Sequence, residues 1–332
     1  MLYYGAVSLS QALILLKNDG TYSLDVSRKL KRHRHHGLDL HGTIEAAAKA
    51  KSFREFWESI TCSVHKKESG EFWGHFPVFY RSLDPDVFSY KVQIQNSGQT
   101  SYLTQEITFP SADPRSIEAI AAQPFNAYGL LKTLPDMYTT LIELQQQSDL
   151  RPGNIKRTVI NFYRQITDTT APSASPLATR TELERTSDSS DFFIDRISET
   201  EQNELVAFYQ GKNPVIVKRS NYPTNLYLNL TIQTPAGTPQ NLGYYPDIVG
   251  DVSGNKFYIL KPEQYVSEAA VLQILLFALG MVSRYYPDIW IKNIDTNIEM
   301  AEVTNAFVNL TYRKFPNLIL DQMTGIKHAI KS

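Results

Sequence analysis

The sequence predicts an α+β protein, with helical N- and C-terminal parts around short antiparallel β-rich patches. Helical patterns of apolar residues occupy both ends of the 332-residue chain. Between them lie short segments rich in aromatic and β-branched residues, the types that favour strands. Turn residues such as Asp84-Pro85 and Asn96-Ser97-Gly98 separate these segments, as expected for antiparallel strands joined by short loops.

The N-terminal part begins with two predicted helices, over residues 3–20 and about 43–60. In the second helix, Phe53, Phe56 and Trp57 recur at helical spacing, and charged residues occupy the opposite side. No capping residue precedes the first helix, so we expect another surface or further chain to cover its start.

The remaining elements follow from periodicity and turn signals. Predicted strands of a β-meander are 74–82, 87–95 and 102–110, and predicted strands of the second half are 214–220, 226–234 and 256–262. Helical pattern extends from Asp113 to about Gln147, and a capping box marks Ser198. The apolar segment 271–282 is predicted as a buried core helix because it is too short to span a bilayer. Two further helices are expected near 296–313 and 316–330.

A Ser/Thr-rich segment divides the chain. Residues 167–190 contain 11 Ser or Thr and almost no large apolar side chain, a composition that cannot bury enough surface to order strongly. We therefore predict a flexible loop or linker over 167–192. It separates a helix, β-meander and helical region (1–166) from strands followed by a C-terminal helical region (193–332). These two regions can also pack as one domain.

The composition and the absence of common motifs exclude several classes of function. The 33 Lys and Arg balance 34 Asp and Glu, so any nucleic-acid-binding surface must be local. The single cysteine, Cys62, excludes an intramolecular disulfide and a Cys-rich zinc site, which favours the cytoplasm. Nucleotide-binding, metalloprotease, hydrolase and EF-hand motifs are absent, so we predict no cofactor and leave enzymatic activity open.

The part of the sequence most typical of a binding or catalytic site is the basic run 28–36, which contains five Arg or Lys and three His. It can be a solvated connecting loop. It can also bind an anion or nucleic acid, with charge from Lys31, Arg32 and Arg34, and with the His36-Gly37 backbone approaching a phosphate. We predict no metal site here, because the cations repel a dication.

A sharper hypothesis concerns Arg28 and His33, which form an R-x4-H arrangement after a helix. This spacing is similar to the motif of HEPN-type ribonucleases, in which facing subunits cleave RNA without metal. An arginine would neutralise charge on the reacting phosphate and a histidine would transfer a proton. Arg28 and His33 are therefore the candidate catalytic residues.

Four motifs together resemble the YaaC-like proteins of bacteria: Tyr3-Tyr4-Gly5, His36-Gly37-Leu38, Pro135-Asp136, and the stretch from Gly280 to Trp290. The resemblance covers most of the chain, and the last stretch is the most specific. It implies a cytosolic bacterial protein and, since some relatives look like accessory genes, a role in a phage-defence complex. The basic run before His36 is particular to this chain, which counts against a catalytic Arg28.

The same resemblance points to Arg284, Asp288 and Trp290 as structural or ligand-binding residues. Arg284 follows an apolar helix, where a buried guanidinium needs a carboxylate or a ligand anion. We expect an ion pair with Asp288 or Asp136, with an anion-binding role as the alternative.

Two functions follow as hypotheses. The first is a non-enzymatic subunit of a bacterial cytosolic complex, acting through contacts with a protein partner or another copy of the chain. The second is a nucleic-acid-binding protein or metal-independent ribonuclease that uses the basic, His-rich segment 28–41. Neither involves a membrane.

Overall fold

A computed structural model gives the fold of most of the chain. It describes residues 2–17, 23, 25–26, 29, 31, 34–42, 44–83, 86–96, 99–109, 117–167, 179–195, 198, 200–201, 203–204, 207, 216–219, 227–235, 248–259 and 266–324. Helices lie at both ends and sheets between them, which confirms the predicted α+β class.

The helices are α1 (Leu2–Lys17), α2 (Ile44–Lys49), α3 (Phe53–Ser59), α4 (His75–Ser82), α5 (Ile117–Ile120), α6 (Ala127–Leu131), α7 (Tyr138–Glu143), α8 (Glu268–Tyr285), α9 (Pro287–Thr296) and α10 (Ile298–Thr324), with a 3-10 turn at Pro135–Met137. The strands are β1 (Leu38–His41), β2 (Thr61–Val64), β3 (Asp86–Asn96), β4 (Gln99–Phe109), β5 (Phe125–Asn126), β6 (Leu150–Thr167), β7 (Thr179–Asp195), β8 (Ile216–Arg219), β9 (Tyr227–Pro235), β10 (Ile248–Gly250) and β11 (Lys256–Ile259).

These strands form three antiparallel units. A small sheet has the order β1-β2-β5, a larger one has the order β10-β11-β6-β7-β9-β8, and β3 and β4 form a hairpin. In the small sheet Leu40 lies opposite Cys62 and Asp39 lies opposite Ser63. Because side chains alternate along a strand, this register directs apolar residues to the core and polar residues to the other face.

The core forms around α8. Twelve of its residues are buried, with α1, α6 and α10 packed around it. Among the described residues α8 has the length and apolar composition of a membrane-crossing helix, but two thirds of it is covered by the rest of the protein. The prediction of a buried core helix over 271–282 is confirmed.

A buried ion cluster connects this helical core to the larger sheet. Lys314 on α10 donates to Asp136 at 2.5 Å and to the Gly250 carbonyl of β10 at 2.8 Å, and it lies 2.6 Å from Glu268. Burial alone lowers the pKa of Lys314, but the charges of Glu268 and Asp136 outweigh it and raise that pKa above its ordinary value. The ammonium therefore stays charged between three elements distant in sequence.

Three predictions about the N-terminal half are wrong. Residues 75–82 of the first predicted strand form helix α4. The predicted three-stranded meander is a two-stranded hairpin. Phe76, Phe79 and Tyr80 are buried at helical spacing, a pattern that a short aromatic segment shares with a strand. The predicted helix over 43–60 is interrupted, since Ser52 caps a new helix by accepting from the Glu55 amide.

The flexible loop or linker predicted over 167–192 stays a prediction, and its residues 168–178 lie outside the described residues. Its residues 179–192 belong to β7, which pairs with β6 on one side and β9 on the other. Paired neighbours satisfy the backbone of β7 even though its composition is polar. Strands from both sides of the predicted linker thus share one sheet. At the C-terminus α10 continues through Pro316, because buried Phe315 and Ile319 extend its packed stripe.

The remaining described strand predictions agree with the structure. Predicted segments 214–220 and 256–262 contain β8 and β11, and predicted segment 226–234 overlaps β9 at all but its last residue. The capping box is present: Ser198 Oγ accepts from the Glu201 amide at 3.3 Å, and Glu201 accepts from the Ser198 amide at 2.8 Å.

One backbone contact fixes the turn before β1. Gly37 and Gly74 both have positive φ, +81° and +104°, and a Cβ on Gly74 would lie 2.5 Å from the Gly37 Cα. A Cβ on Gly37 would lie 2.5 Å from Pro77 Cδ. At this close approach, the His35 and His36 carbonyls accept the amides of His75 and Phe76, each at 2.9 Å. The turn therefore caps the start of α4.

We predict that Gly37→Ala lowers the free energy of unfolding by about 3 kcal/mol, from left-handed strain plus the clash with Pro77. Gly70→Ala is the matched control, because Gly70 has φ +83° and nothing within 4 Å of its added Cβ. Its expected cost is about 1 kcal/mol. Urea denaturation measures both values, and equal losses in the two variants would contradict the packing argument.

Candidate functional site

Three sequence motifs that are far apart in the chain meet beside this turn. Tyr3 on α1 hydrogen-bonds His36 Nδ1 through its hydroxyl at 2.7 Å. The rings of Tyr3 and His36 both pack on Phe277 of α8, at centroid distances of 6.0 and 5.4 Å. Gly280, one turn further along α8, has the Tyr3 Cβ 3.8 Å from the position of an added methyl group. The Tyr-Tyr-Gly, His-Gly and C-terminal motifs thus form one contiguous region.

Burial keeps this aromatic contact neutral. It raises the pKa of Tyr3, with a further contribution from Tyr4. Burial also lowers the pKa of His36, and the charges of His35 and Arg284 lower it further. A neutral phenol and a neutral imidazole therefore share the 2.7 Å hydrogen bond at pH 7.

At the outer edge of this region lies a group that we call the Tyr–Arg surface: Tyr4, Arg284 and Tyr285. Arg284 Nη1 donates to the Tyr4 hydroxyl at 2.5 Å, and its guanidinium lies 5.4 Å from the Tyr285 ring centroid. The exposed fractions are 52% for Tyr4 and 56% for Tyr285, and Arg284 is exposed too. The surface presents two exposed tyrosines and a cation that contacts the hydroxyl of one and the ring of the other.

This geometry corrects the expectation for Arg284. Its guanidinium is exposed, and within the described residues it forms no ion pair with Asp288 or Asp136. Asp136 instead belongs to the buried cluster of Lys314, and Asp288 is exposed at the start of α9. Trp290 is half-buried, with its ring 6.2 Å from that of Phe56, which indicates a packing role.

The basic run is only partly described. Arg28, Arg32 and His33 lie outside the described residues, so the R-x4-H hypothesis stays a prediction. Lys31 and Arg34 are exposed, and the Arg34 amide donates to the Lys31 carbonyl at 3.1 Å.

The Gly37 amide, proposed from the sequence to approach a phosphate, has another partner. It donates to His35 Nδ1 at 3.0 Å. The turn is thus held by its own histidine, and an anion would have to displace that side chain to reach the amide.

A second polar group, which the sequence analysis did not assemble, lies on the outer face of the small sheet. We call His35, Asp39 and His65 the histidine face. His65 Nδ1 lies 2.8 Å from Asp39 Oδ2, and the rings of His35 and His65 are 4.0 Å apart. Asp39 and His65 become neighbours only through the pairing of β1 with β2, which the sequence does not specify. The available signal was the alternation of polar and apolar residues along both segments.

An open cleft of about 690 Å³ lies between α7 and the segment containing Glu201. Arg151, the cation of its described lining, is already paired, since its Nη2 donates to Glu201 at 2.7 Å. The cleft is therefore a weaker candidate for binding an anionic ligand than the Tyr–Arg surface.

His75 is a buried histidine behind the turn. Its ring stacks on Phe79, and within the described residues its Nε2 has no hydrogen-bond partner. Burial, with a smaller contribution from the charge of His36, lowers the pKa of His75 to about 4.

This pKa predicts acid sensitivity. Below pH 6.5 the unfolded chain takes up a proton at His75 that the folded protein accepts only near pH 4. The free energy of unfolding therefore falls by roughly 3 kcal/mol across that interval and is fully restored above pH 6.5. His75→Phe removes this contribution. The free energy of unfolding of the variant should then fall less steeply with pH, through His35 and His36, whose pKa values are also lowered. Urea titrations from pH 7.5 to 4 test this, and identical slopes in both proteins would refute it.

Comparison with known proteins identifies the family. The sequence model of the family described as YaaC-like Protein matches residues 1–323, nearly the whole chain. No curated protein and no solved structure matches the chain. The match includes the Tyr-Tyr-Gly, His-Gly and C-terminal motifs that meet around Tyr3. The protein belongs to the YaaC-like family.

Proposed function

We propose that this protein is a non-enzymatic subunit of a bacterial cytosolic complex, with a role in anti-phage defence, and that the Tyr–Arg surface binds its protein partner. The observation that carries the proposal is the exposure of Tyr4 and Tyr285 around the ordered guanidinium of Arg284.

The chemistry of this surface suits a protein interface. Tyrosine and arginine are enriched among the residues that dominate binding energy, because each combines a large apolar area with directional hydrogen bonds. Arg284 is held by Tyr4 and Tyr285, so little side-chain entropy remains to be lost on binding. Within the described residues its charge has no carboxylate partner, which leaves it available to an acidic group of the partner.

The position of the surface adds support. Tyr4 projects from α1 next to Tyr3, whose ring packs on the core helix α8 and on His36. Arg284 lies on the last turn of the same helix. Rigid elements therefore present the exposed side chains, as an interface that binds without rearrangement requires.

A second candidate, nucleic-acid binding by segment 28–41, is favoured by the exposure of Lys31 and Arg34. Salt dependence separates the two functions. Phosphate contacts weaken steeply as ionic strength rises, whereas aromatic contacts respond little.

The proposal predicts that Tyr285→Ala dissociates the native complex. The protein is purified at its natural expression level and examined by light scattering, with absorbance at 260 and 280 nm recorded across the peak. The wild type is expected to elute as a protein-only assembly above 37.7 kDa whose stoichiometry survives high salt. The Y285A variant should weaken that assembly about tenfold or more, the usual effect of truncating a central interface tyrosine.

The matched control is Tyr312→Ala on α10, because Tyr312 is 72% exposed but lies outside the Tyr–Arg surface. It should leave the assembly intact. A wild-type monomer without partner, or an assembly unchanged by Y285A, would contradict the proposal. A nucleic-acid-containing peak that high salt removes would favour the second candidate.

A further inference from the structure

We propose that His35, Asp39 and His65 form a binding site for a divalent transition-metal ion such as Zn²⁺. Each side chain offers one ligand atom, and the three atoms lie within 4.8 Å of one another. Two imidazoles and a carboxylate are a donor set that Zn²⁺ commonly uses, with a fourth position left for water. The site is independent of the Tyr–Arg surface.

The fold holds two of these ligands on a rigid support. Asp39 pairs with Ser63 in the antiparallel ladder of β1 and β2, and the His65 amide donates to the Gly37 carbonyl at 3.0 Å. Asp39 and His65 are therefore diagonal neighbours on one face of the sheet. The opposite face, including Leu38 and Cys62, is buried in the core. Little rearrangement is needed to bring these two ligands together.

His65 and Asp39 place an imidazole nitrogen and a carboxylate close enough together to bind the same cation. His65 Nδ1 lies 2.8 and 3.0 Å from the two oxygens of Asp39. In the absence of metal the N–H of the imidazole bridges this gap. A dication can take the position between the two groups when the imidazole proton moves to Nε2, because neutral imidazole and ionised carboxylate are the ligating forms.

His35 completes the set from the adjacent turn. Its ring lies 4.0 Å from that of His65 with an interplanar angle of 34°. All three groups are half-buried, which limits competition from bulk water while leaving access for an ion.

The tautomer of His35 predicts that the three ligands contribute unequally to the affinity for the metal ion. Its Nδ1 accepts the Gly37 amide at 3.0 Å, so in the metal-free protein the proton resides on Nε2. Coordination by His35 must give up this hydrogen bond or move the proton. His35 is therefore expected to add less affinity than His65, whose lost hydrogen bond to Asp39 is replaced by bonds from both groups to the ion.

The proposal differs from the sequence-based expectation of no metal site. That expectation counted the cations of residues 28–34 as neighbours of the histidines. The described members Lys29, Lys31 and Arg34 are exposed, so water screens their charges, whereas the Asp39 carboxylate is in direct contact with His65.

Cobalt(II) is the probe, because its visible absorption reports coordination by nitrogen and oxygen directly. The full chain is titrated with Co²⁺ at pH 7.5, followed by displacement with Zn²⁺, and calorimetry gives the affinities. One ion per chain is expected. His65→Ala and Asp39→Asn should each weaken binding about tenfold or more, and His35→Ala should weaken it less.

The matched control is His41→Ala. His41 lies on the same sheet face, but it hydrogen-bonds Ser63 and is not part of the ligand set. It should retain wild-type affinity. Asp39→Asn preserves side-chain shape, so its result stands if His65→Ala does not fold. The proposal is overturned if the wild type gives no Co²⁺ absorption, or if binding survives both D39N and H65A.

Discussion

The close contact between Gly37 and Gly74 is the constraint on which both candidate sites depend. Both glycines have positive φ; a Cβ on Gly74 would collide with the Gly37 backbone, and a Cβ on Gly37 would collide with Pro77 and the Phe76 amide. At that contact the carbonyls of His35 and His36 accept the first amides of α4, so the turn and the helix hold each other. Since β1 begins at the next residue, the contact also sets where the small sheet starts.

The turn places the side chains of His36 and His35 in two different environments. His36 points to Tyr3 and Phe277, on the side where α1 and α8 meet. His35 lies against His65, on the outer face of the sheet. One backbone conformation therefore positions His36 in the aromatic contact beneath the Tyr–Arg surface and His35 in the proposed metal site. The buried cluster of Lys314 acts elsewhere, joining α8 and α10 to the larger sheet.

Particular elements show which parts of the fold can be predicted from the sequence alone. Segments whose periodicity is long or turn-bounded, such as α8 and β9, are predictable because local pattern and packing agree. Helix α4 is not, because its start is capped by carbonyls from residues 35 and 36, a contact between separate segments. Strand β7 is ordered by two neighbouring strands despite its polar composition.

The same reasoning applies to the sites. The motifs around Tyr3, His36 and Arg284 were visible individually, but their convergence depends on the packing of α1 against α8. Arg284 pairs with a tyrosine rather than the expected carboxylate, because the helix end leaves it exposed. The adjacency of Asp39 and His65 follows from a strand register that no local signal encodes.

Hydroxyl-radical footprinting of the native assembly determines whether a partner covers the Tyr–Arg surface there. Oxidation of each tyrosine is quantified by mass spectrometry in the isolated chain and in the assembly. We predict that Tyr4 and Tyr285 react in the isolated chain and are protected in the assembly, while Tyr312 reacts equally in both. Equal oxidation of Tyr4 and Tyr285 in the two states would show that the Tyr–Arg surface is not the interface.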